Sequence, residues 1–289
     1  MTASANLSGK TCVVTGANTG IGRATAEGLA RAGGRVVLAC RSAAKTEPVI
    51  EDLKRMSGNE LVEHLPLDLS DLGSVREAVA VLAGRADPVD VIIANAGVAG
   101  QRGQTVQGFE LAFGINHLGH FLFVTELMDL LREASPSRVV VVASESHYSA
   151  KGLSEQDLCR PTRTITGLRE YERSKLANVL FAQELARRVS PDEVTTYALH
   201  PGVIASDIWR RVPWPVRPIM TRRMKTVAEG ARTSLWCATD PGVAGTSGGY
   251  YSDCEPKEPS AVATPELGRW LWERSEDWTR DFRQGSPQL

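Results

Sequence analysis

Short apolar runs alternate along this chain with longer segments of helical periodicity. The runs are rich in β-branched residues and are bounded by turn residues, which predicts strands at residues 11–15, 35–39, 61–67, 89–94, 138–143 and 194–199. Apolar positions three and four residues apart predict helices at residues 21–32, 47–56, 75–83, 109–132, 171–189 and 266–278. Because the strands are apolar on both faces and alternate with helices, we predict an α/β fold with a single Rossmann-type, doubly wound parallel sheet flanked by helices.

Two irregular stretches interrupt this alternation, at residues 147–170 and 207–226. Long irregular segments inside a compact domain are usually functional. A strand-like piece at residues 250–252 and an extension at residues 255–289 end the chain. With no internal repeat and no linker, residues 1–289 are predicted to form one nucleotide-binding domain.

Composition narrows the functional classes. The net charge of −1 argues against a nucleic-acid partner, and the five scattered cysteines have no metal-ligand spacing. The first ten residues lack the apolar segment of a signal peptide, and no apolar run approaches the ~20 residues of a transmembrane helix. The sequence-based expectation is a cytoplasmic protein without a transmembrane segment.

A glycine-rich turn at residues 15–22 joins the first predicted strand to the first helix. Its glycines, Gly16, Gly20 and Gly22, have the spacing G-x3-G-x-G. Such a turn lets the backbone approach a pyrophosphate, which binds at the positive end of the helix dipole. The alternative is a simple strand–helix turn, although packing alone poorly explains three glycines here.

The end of the second strand bears on the choice of cofactor. A carboxylate there would accept a hydrogen bond from the 2′-hydroxyl of the adenine ribose. This chain instead has Cys40 followed by Arg41, and a guanidinium suits a 2′-phosphate. The residues therefore favour NADP(H) over NAD(H), the alternative being an Arg41 that is merely solvated at a strand end.

Tyr171 and Lys175 lie four residues apart, on one face of a predicted helix. A nearby positive charge lowers the pKa of a phenol from its usual ~10, so that the phenol can act as an acid or base near neutral pH. The spacing alone also occurs often by chance.

Taken together, the motifs resemble those of the short-chain dehydrogenase/reductase family, from about residue 9 to residue 251. The motif residues follow in the family's order: Gly16, Gly20, Ile21, Gly22, Asp68, Leu69, Asn95, Ala96, Gly97, Asn116, Ser144, Tyr171, Lys175, Pro201 and Gly202. The segments 117–121, 174–181 and 251–254 are most similar to its retinol-dehydrogenase-like branch.

The resemblance implies cofactor contacts along the carboxyl ends of the strands. Asp68 and Leu69 would contact the adenine, and Asn95, Ala96 and Gly97 would line the path of the ribose and pyrophosphate. Further contacts are expected from the phosphate turn, the nicotinamide side and the ribose, at Asn18, Thr19, Ile21, Pro201, Gly202, Ile204, Ser206 and Lys175.

The resemblance also implies a catalytic set of Asn116, Ser144, Tyr171 and Lys175. In the direction of reduction, Tyr171 would donate a proton to the substrate oxygen while Ser144 hydrogen-bonds the same oxygen, and Asn116 would hold a water that relays protons to Lys175. Ser146 is the alternative to Ser144. Residues 147–170 would form part of the pocket rim.

By the same resemblance, residues 207–226 would form a substrate lid. Its aromatic and Met residues (Trp209, Trp214, Met220 and Met224) favour an apolar or aromatic alcohol, aldehyde or ketone, with core packing as the alternative. The expected activity is that of an aldehyde reductase or of a ketoreductase of specialised metabolism; the alternative is a non-redox NADP-binding protein. The arginines of the lid could form a solvated face, attract an anionic substrate or contact a membrane surface.

Two further expectations concern neighbouring groups and assembly. His117 and His120 are expected to pack or cap, whereas His147 and Tyr148 could contact substrate or be exposed. The resemblance implies a homodimer through the helices that carry Asn116 and Tyr171, unless the C-terminal extension covers those helices.

Overall fold

A computed structural model of the chain describes residues 5–85, 87–203 and 225–283. The eight strands of the described residues form one sheet. They are β1 Thr11–Thr15, β2 Arg35–Cys40, β3 Val62–Pro66, β4 Val91–Ala94, β5 Ser137–Val142, β6 Val194–His200, β7 Gly249–Ser252 and β8 Glu255–Lys257. Their order is β3-β2-β1-β4-β5-β6-β7-β8, and only β8 pairs antiparallel. The predicted doubly wound parallel sheet is thereby confirmed.

The helices of the described residues lie between these strands along the chain, except for the last one, which follows β8. They are α1 Gly20–Arg31, α2 Ala43–Ser57, α3 Leu72–Arg85, α4 Leu111–Phe113, α5 Gly119–Glu126, α6 Met128–Glu133, α7 Glu155–Leu158, α8 Leu168–Arg188, α9 Val227–Thr239 and α10 Pro265–Thr279. Helices α1, α2 and α9 cover one face of the sheet, and α3, α5, α8 and α10 cover the other.

The sheet is buried on both faces because its strands are apolar at successive positions. Val13 and Val14 are both fully buried, and they belong to the cores on opposite faces of the sheet. This follows from the alternation of side chains along a strand. The carboxyl ends of β1 and β4 lie where the strand order reverses, which is the usual ligand crevice of such sheets.

The prediction of one continuous helix at residues 109–132 is wrong. After the single turn of α4, the backbone adopts a π-helical turn at Gly114–Leu118, and the helix resumes as α5. A second break separates α5 from α6 at Leu127. π-Turns are rare and are frequent at functional sites, and this one contains Asn116.

Helix α9 and strand β8 were not predicted. A capping box begins α9, in which the Thr226 side chain accepts from the Glu229 backbone and the Glu229 carboxylate accepts from Thr226. The T-x-x-E pattern was therefore a usable signal. The helix packs on α1 at Gly28, where a Cβ atom would lie 2.6 Å from Leu235.

Residues 204–224 lie outside the described residues. These include the expected cofactor contacts Ile204 and Ser206 and all of the predicted lid except Lys225 and Thr226. In the part of the chain that the structure describes, none of the helices combines the length and apolarity needed to cross a bilayer.

Candidate active site

The glycine turn between β1 and α1 is shaped by steric requirements. Gly16 has φ +64°, and a Cβ atom there would lie 2.9 Å from the Ala96 side chain. A Cβ atom at Gly22 would lie 2.5 Å from both Asn95 Nδ2 and Gly16 O. Gly20 has φ +56° but faces open space, with no atom within 4 Å of such a Cβ. Gly16 and Gly22 thus serve close packing, while Gly20 leaves room above the turn.

The N-terminus of α1 is suited to an anion. Thr19 is the N-cap residue, yet its side chain makes no capping hydrogen bond, and the first turn contains no acidic residue. The first N–H groups of a helix need external acceptors, and the helix dipole favours negative charge there. With the open space at Gly20, these residues fit a nucleotide pyrophosphate. Asn18 and Ile21 are half-buried in the same turn.

At the switch point, β4 is tied to β1 through Thr15 and Asn95. The Thr15 hydroxyl accepts from the backbone N–H groups of Asn95 (3.0 Å) and Ala96 (2.9 Å). The Asn95 side chain donates to the Thr15 carbonyl at 2.9 Å. These bonds hold residues 95–97 against the glycine turn, where the sequence predicted a cofactor contact.

Arg41 and Asp68 face each other beyond β2 and β3. Arg41 Nη1 lies 3.7 Å from Asp68 Oδ2, and the arginine side chain is 74% exposed. The other oxygen of Asp68 accepts from the Ser70 backbone and hydroxyl. Leu69 is buried. The guanidinium therefore lies at the rim, held by one long ion pair and free to turn toward an anion.

Asn116 is placed by the π-turn so that its side-chain amide is fully engaged. Its Oδ1 accepts from Val98 N at 2.8 Å, and its Nδ2 donates to Val98 O at 3.0 Å and to Ser174 Oγ at 2.8 Å. Ser174 precedes Lys175 on α8 and is fully buried. Asn116 thus joins three segments: the loop after β4, the π-turn and α8.

The buried His120 ring connects Asn116 to the nucleotide turn. Nδ1 lies 2.9 Å from the Asn116 carbonyl, and Nε2 lies 2.8 Å from Thr15 Oγ1. Burial lowers the pKa of His120 to about 4, so the ring is neutral at pH 7. Since the carbonyl can only accept, Nδ1 carries the proton and Nε2 accepts from the Thr15 hydroxyl. His120 therefore bonds within the core, in agreement with its predicted packing role.

Tyr171 and Ser144 meet at the carboxyl end of β5. Tyr171 is half-buried on the first turns of α8. Burial raises the pKa of the Tyr171 phenol above its usual value, and a hydrogen bond from the Ser144 side chain opposes this shift. Of the two serines, Ser144 is the one whose side chain acts on the Tyr171 phenol, which favours it over Ser146 as the catalytic serine. Ser144 Oγ also lies 3.2 Å from Ser146 Oγ, within hydrogen-bond distance.

Lys175 is directed into the protein rather than along its helix. Its Nζ lies 5.6 Å from the centroid of the Tyr171 ring and donates to the Val142 carbonyl at 2.8 Å. Asn178 donates to the same carbonyl at 3.1 Å. Burial lowers the pKa of Lys175 to about 7. The prediction that the Lys175 charge lowers the Tyr171 pKa is therefore wrong: burial raises the Tyr171 pKa, and Lys175 is not among the groups that oppose this rise.

An open pocket adjoins Ser144 at the ends of β6 and β7. It is lined by Glu145, His200, Gly202, Val203, Lys225, Ser252 and Asp253. Gly202 has φ +94°, and a Cβ atom there would lie 2.7 Å from Lys225 Cδ. Pro201 precedes it directly after β6. The pocket therefore lies where the sequence predicted contacts to nicotinamide and substrate.

The irregular segment before Tyr171 is held by two buried carboxylates. Glu170 accepts from the backbone N–H groups of Arg163 and Thr164 and from the Thr164 hydroxyl. Glu110 accepts from Phe113 N at 2.8 Å and from the Thr162 hydroxyl. Residues 162–164 are thereby anchored beside the helix that carries Tyr171, and the expected position of this segment at a pocket rim stays a prediction.

Sequence reasoning missed several groups that position the site. The Val142 carbonyl could not have been found from the sequence, because it is a main-chain group. Asn178 could have been found, because it lies three residues after Lys175 on the same helical face.

The prediction for His147 is wrong, because its side chain is fully buried and reaches neither solvent nor the pocket. Among the described residues, no three His, Cys, Asp or Glu side chains cluster as metal ligands.

Comparison with known proteins identifies similar sequences over nearly the whole chain. A family model described as short chain dehydrogenase matches residues 10–155. Dehydrogenase/reductase SDR family member 13 from Homo sapiens is 41% identical over 280 residues, which cover 93% of this chain and 73% of that protein. Retinol dehydrogenase 11 from Homo sapiens is 42% identical over 281 residues, covering 96% of this chain and 87% of that protein.

A solved structure gives the same result for the fold. The crystal structure of an uncharacterized protein from Mycobacterium Paratuberculosis superimposes with a TM-score of 0.74 at 31% identity. The match covers 96% of this chain and 95% of that one.

Proposed function

The chain belongs to the short-chain dehydrogenase/reductase family, in its retinol-dehydrogenase-like branch, and is an oxidoreductase that acts on CH–OH groups. From this premise we propose that it interconverts a carbonyl and an alcohol on an apolar or aromatic small molecule with NADP(H). The observation that carries the proposal is the meeting of Tyr171, Ser144 and Lys175 at the carboxyl end of β5, beside the glycine turn.

In this reaction the nicotinamide would supply or accept the hydride, and the protein would manage the proton. During reduction, the Tyr171 hydroxyl donates its proton to the carbonyl oxygen, and Ser144 donates a hydrogen bond to the same oxygen. The raised pKa of the Tyr171 phenol keeps it protonated and ready to act as the acid. Two donors aimed at a developing negative charge stabilise the transition state electrostatically.

Lys175 would return the proton to Tyr171. Its pKa of about 7 makes both protonation states accessible at neutral pH, and its Nζ lies in a buried position behind the phenol. The Asn116 side chain is already engaged with Val98 and Ser174. We propose, as the family resemblance implies, that Asn116 holds a water that relays protons to Lys175.

The preference for NADP(H) is supported by the region around Arg41. Ser42 is the N-cap of α2 but makes no side-chain capping bond, and the first turn of α2 contains no acidic residue. Lys45 is exposed in that turn. An uncapped helix N-terminus with two nearby cations suits a 2′-phosphate better than a ribose hydroxyl.

An apolar or aromatic substrate is proposed because the relatives include a retinol dehydrogenase, which is named for an apolar alcohol. Among such enzymes, an aldehyde reductase or a ketoreductase of specialised metabolism fits the proposal. Localisation in the cytoplasm and assembly as a homodimer remain predictions from the sequence.

The proposal is tested by incubating the purified chain with NADPH or NADH and a panel of aldehydes and ketones that includes retinaldehyde. We expect the wild type to oxidise NADPH, which is measured by the decrease in absorbance. In Tyr171→Phe, turnover should fall by at least about 10²-fold. The variant should still bind NADPH, as measured by nucleotide fluorescence. Wild-type-like turnover by Tyr171→Phe would contradict the assignment. Binding of NADPH without consumption by the wild type would indicate the non-redox alternative.

A further inference from the structure

His147 occupies a buried position directly behind Ser144. It lies in the short 3₁₀ turn Glu145–Ser149 that follows β5, and its side chain is fully buried. The ring packs between two aromatic rings, with centroid distances of 4.0 Å to Tyr148 and 4.7 Å to Tyr250. These contacts hold the imidazole in place beside the Ser144 backbone.

Both ring nitrogens of His147 have a partner that determines its role. Nδ1 lies 2.7 Å from the Ser144 carbonyl oxygen, which can only accept. Nε2 lies 3.0 Å from the Ser260 backbone N–H, which can only donate. The ring is therefore neutral, with its proton on Nδ1. Burial lowers the pKa of His147, in keeping with the neutral form.

The Ser144 carbonyl receives two bonds from the same residue. Besides Nδ1, the His147 backbone N–H donates to it at 3.1 Å. Two donors on one carbonyl fix the plane of the peptide that follows Ser144. Because that carbonyl and the side chain share the Ser144 Cα, the bonds help to fix the direction of the Cα–Cβ bond from which Oγ projects toward Tyr171.

Residues 258–264, here called the C-terminal strap, connect β8 to α10 and pass over this turn. Ser260 is buried in the strap and donates its backbone N–H to His147. The neighbouring Tyr148 donates its hydroxyl to the Glu258 carbonyl at 2.6 Å. Consecutive side chains of the turn therefore hold two backbone groups of the strap, but only the bond through His147 continues to Ser144.

The strap is in turn fixed to the helix that carries Tyr171. Helix α10 follows it and packs along α8, where Trp272 stacks on Phe181 with a centroid distance of 6.0 Å. Ser144 and Tyr171 are thus connected by two structural routes. One runs through β5 and α8, and the other runs through His147, the strap and α10.

We propose that His147, as the neutral Nδ1–H tautomer, is a positioning residue that aims Ser144 at the substrate oxygen and couples it to the C-terminal strap. This role rests on the proposed function of Ser144. His147 itself is not among the residues that line the described pocket.

Substitution of His147 by Asn or by Gln tests its hydrogen bond to Ser144 and its hydrogen bond from Ser260 separately. In His147→Asn, the amide nitrogen can take the place of Nδ1 and keep the donor to Ser144, while the acceptor for Ser260 is lost. In His147→Gln, the amide oxygen can reach the place of Nε2 and keep that acceptor, while the donor to Ser144 is lost. Tyr148→Phe is the matched control. It removes a hydrogen bond to the same strap, but this bond does not continue to Ser144.

For reduction of the carbonyl that the wild type turns over fastest, we expect kcat to fall about tenfold or more in His147→Gln. The fall is expected because small errors in aligning a catalytic group already cost rate. His147→Asn should stay within about threefold of wild type, because it keeps the donor to Ser144. Tyr148→Phe should keep the wild-type kcat. The Kd for NADPH should be unchanged in all three, and melting temperatures report any loss of folding. Equal kcat losses in His147→Asn and His147→Gln, or none in either, would overturn the proposal.

A second measurement does not depend on turnover. Nitrogen-15 NMR of the imidazole in wild-type protein at neutral pH should report a proton on Nδ1 and none on Nε2. A ring protonated on Nε2, or on both nitrogens, would overturn the proposed role. Failure of the wild type to reduce any carbonyl would refute the proposed function instead, while the tautomer would still report whether His147 bridges Ser144 and Ser260.

Discussion

Lys175 brings a positive charge into a nearly dry environment. Its side chain is 4% exposed, and the partner of its ammonium is a neutral carbonyl rather than a carboxylate. Removing an ammonium from water favours the neutral amine, which is why burial lowers its pKa to about 7. The same loss of water raises the pKa of the neighbouring Tyr171 phenol. Desolvation therefore outweighs charge attraction for both groups.

The titration of Lys175 should make stability depend on pH. Between pH 7 and the usual lysine pKa of about 10.4, the unfolded chain holds a proton on Lys175 that the folded chain has released, so the contribution of Lys175 to wild-type stability rises with pH in this window. Lys175→Met removes the titration. In urea unfolding without cofactor, the difference in unfolding free energy between wild type and Lys175→Met should shift in favour of wild type by up to about 1.4 kcal/mol per pH unit. A difference that stays constant from pH 7.5 to 9.5 would contradict the assigned shift.

Arg41 is predicted to discriminate between the two nicotinamide cofactors. Its guanidinium is 74% exposed beside the uncapped start of α2 and can form charge-assisted bonds to a 2′-phosphate. Arg41→Ala should weaken NADPH binding roughly 10- to 100-fold, since bonds to charged groups are worth about 1.5–3 kcal/mol. Binding of NADH should be unaffected, as titrated by nucleotide fluorescence.

Arg55→Ala is the matched control for Arg41. Arg55 lies near the other end of α2 and pairs with Asp52. It should leave the affinity for both nucleotides unchanged. Equal losses for NADPH and NADH in Arg41→Ala would instead favour the alternative of a solvated arginine at a strand end.

Among the elements, the π-turn and α8 form one unit. Asn116 sits in the π-turn and donates to Ser174, which in turn donates to the Tyr171 carbonyl at 2.8 Å. The wider π-turn aims the Asn116 side chain between Val98 and α8, while its carbonyl accepts from His120. The two elements that carry the proposed catalytic residues are thus joined by buried polar bonds, which are strong in a low-dielectric interior.

Helix α10 adds an aromatic layer over α5 and α8. Trp272 is 2% exposed, and its ring lies 5.0 Å from Phe121 and 4.5 Å from the Arg188 guanidinium carbon. It covers part of the two helices through which the resemblance implied a homodimer, and that homodimer stays a prediction.

Trp272→Ala should lower the free energy of unfolding by about 3–5 kcal/mol, because a large buried side chain leaves a cavity. Denaturant unfolding measures the loss. Trp270→Ala is the matched control on the same helix, and its half-buried side chain should give a clearly smaller loss. Equal losses in the two variants would mean that α10 is not held mainly through Trp272.

The whole molecule is organised around a single sheet. All eight strands of the described residues belong to it, and each flanking layer packs against one of its two faces. We therefore predict a single cooperative unfolding transition, as expected of one domain.

Far-UV circular dichroism, which reports the whole fold, and tryptophan fluorescence, to which Trp236 of α9 and the three tryptophans of α10 contribute, should give coincident melting curves. Separate midpoints would show that the C-terminal helices unfold as a unit of their own. A saturating excess of NADPH should raise the common midpoint, because a ligand that binds only the folded state stabilises it.

Local patterns in the sequence already determined the α/β class, the parallel sheet, the glycine turn and the residue types of the site. Apolar runs such as 11–15 can be buried only inside a sheet covered on both faces, and the positions of Gly16 and Gly22 follow from backbone sterics. These requirements act over a few residues, which is why they are readable without the fold.

The tertiary structure alone decided how these groups act. Burial sets the pKa values of Lys175 and Tyr171, and it depends on segments far away along the chain. The π-turn at Asn116 interrupts a segment whose periodicity reads as one helix, and the partner that orients His147 is a backbone N–H 113 residues away. Contacts of this kind leave no local pattern, because desolvation and hydrogen bonding depend on distances in space rather than on spacing in sequence.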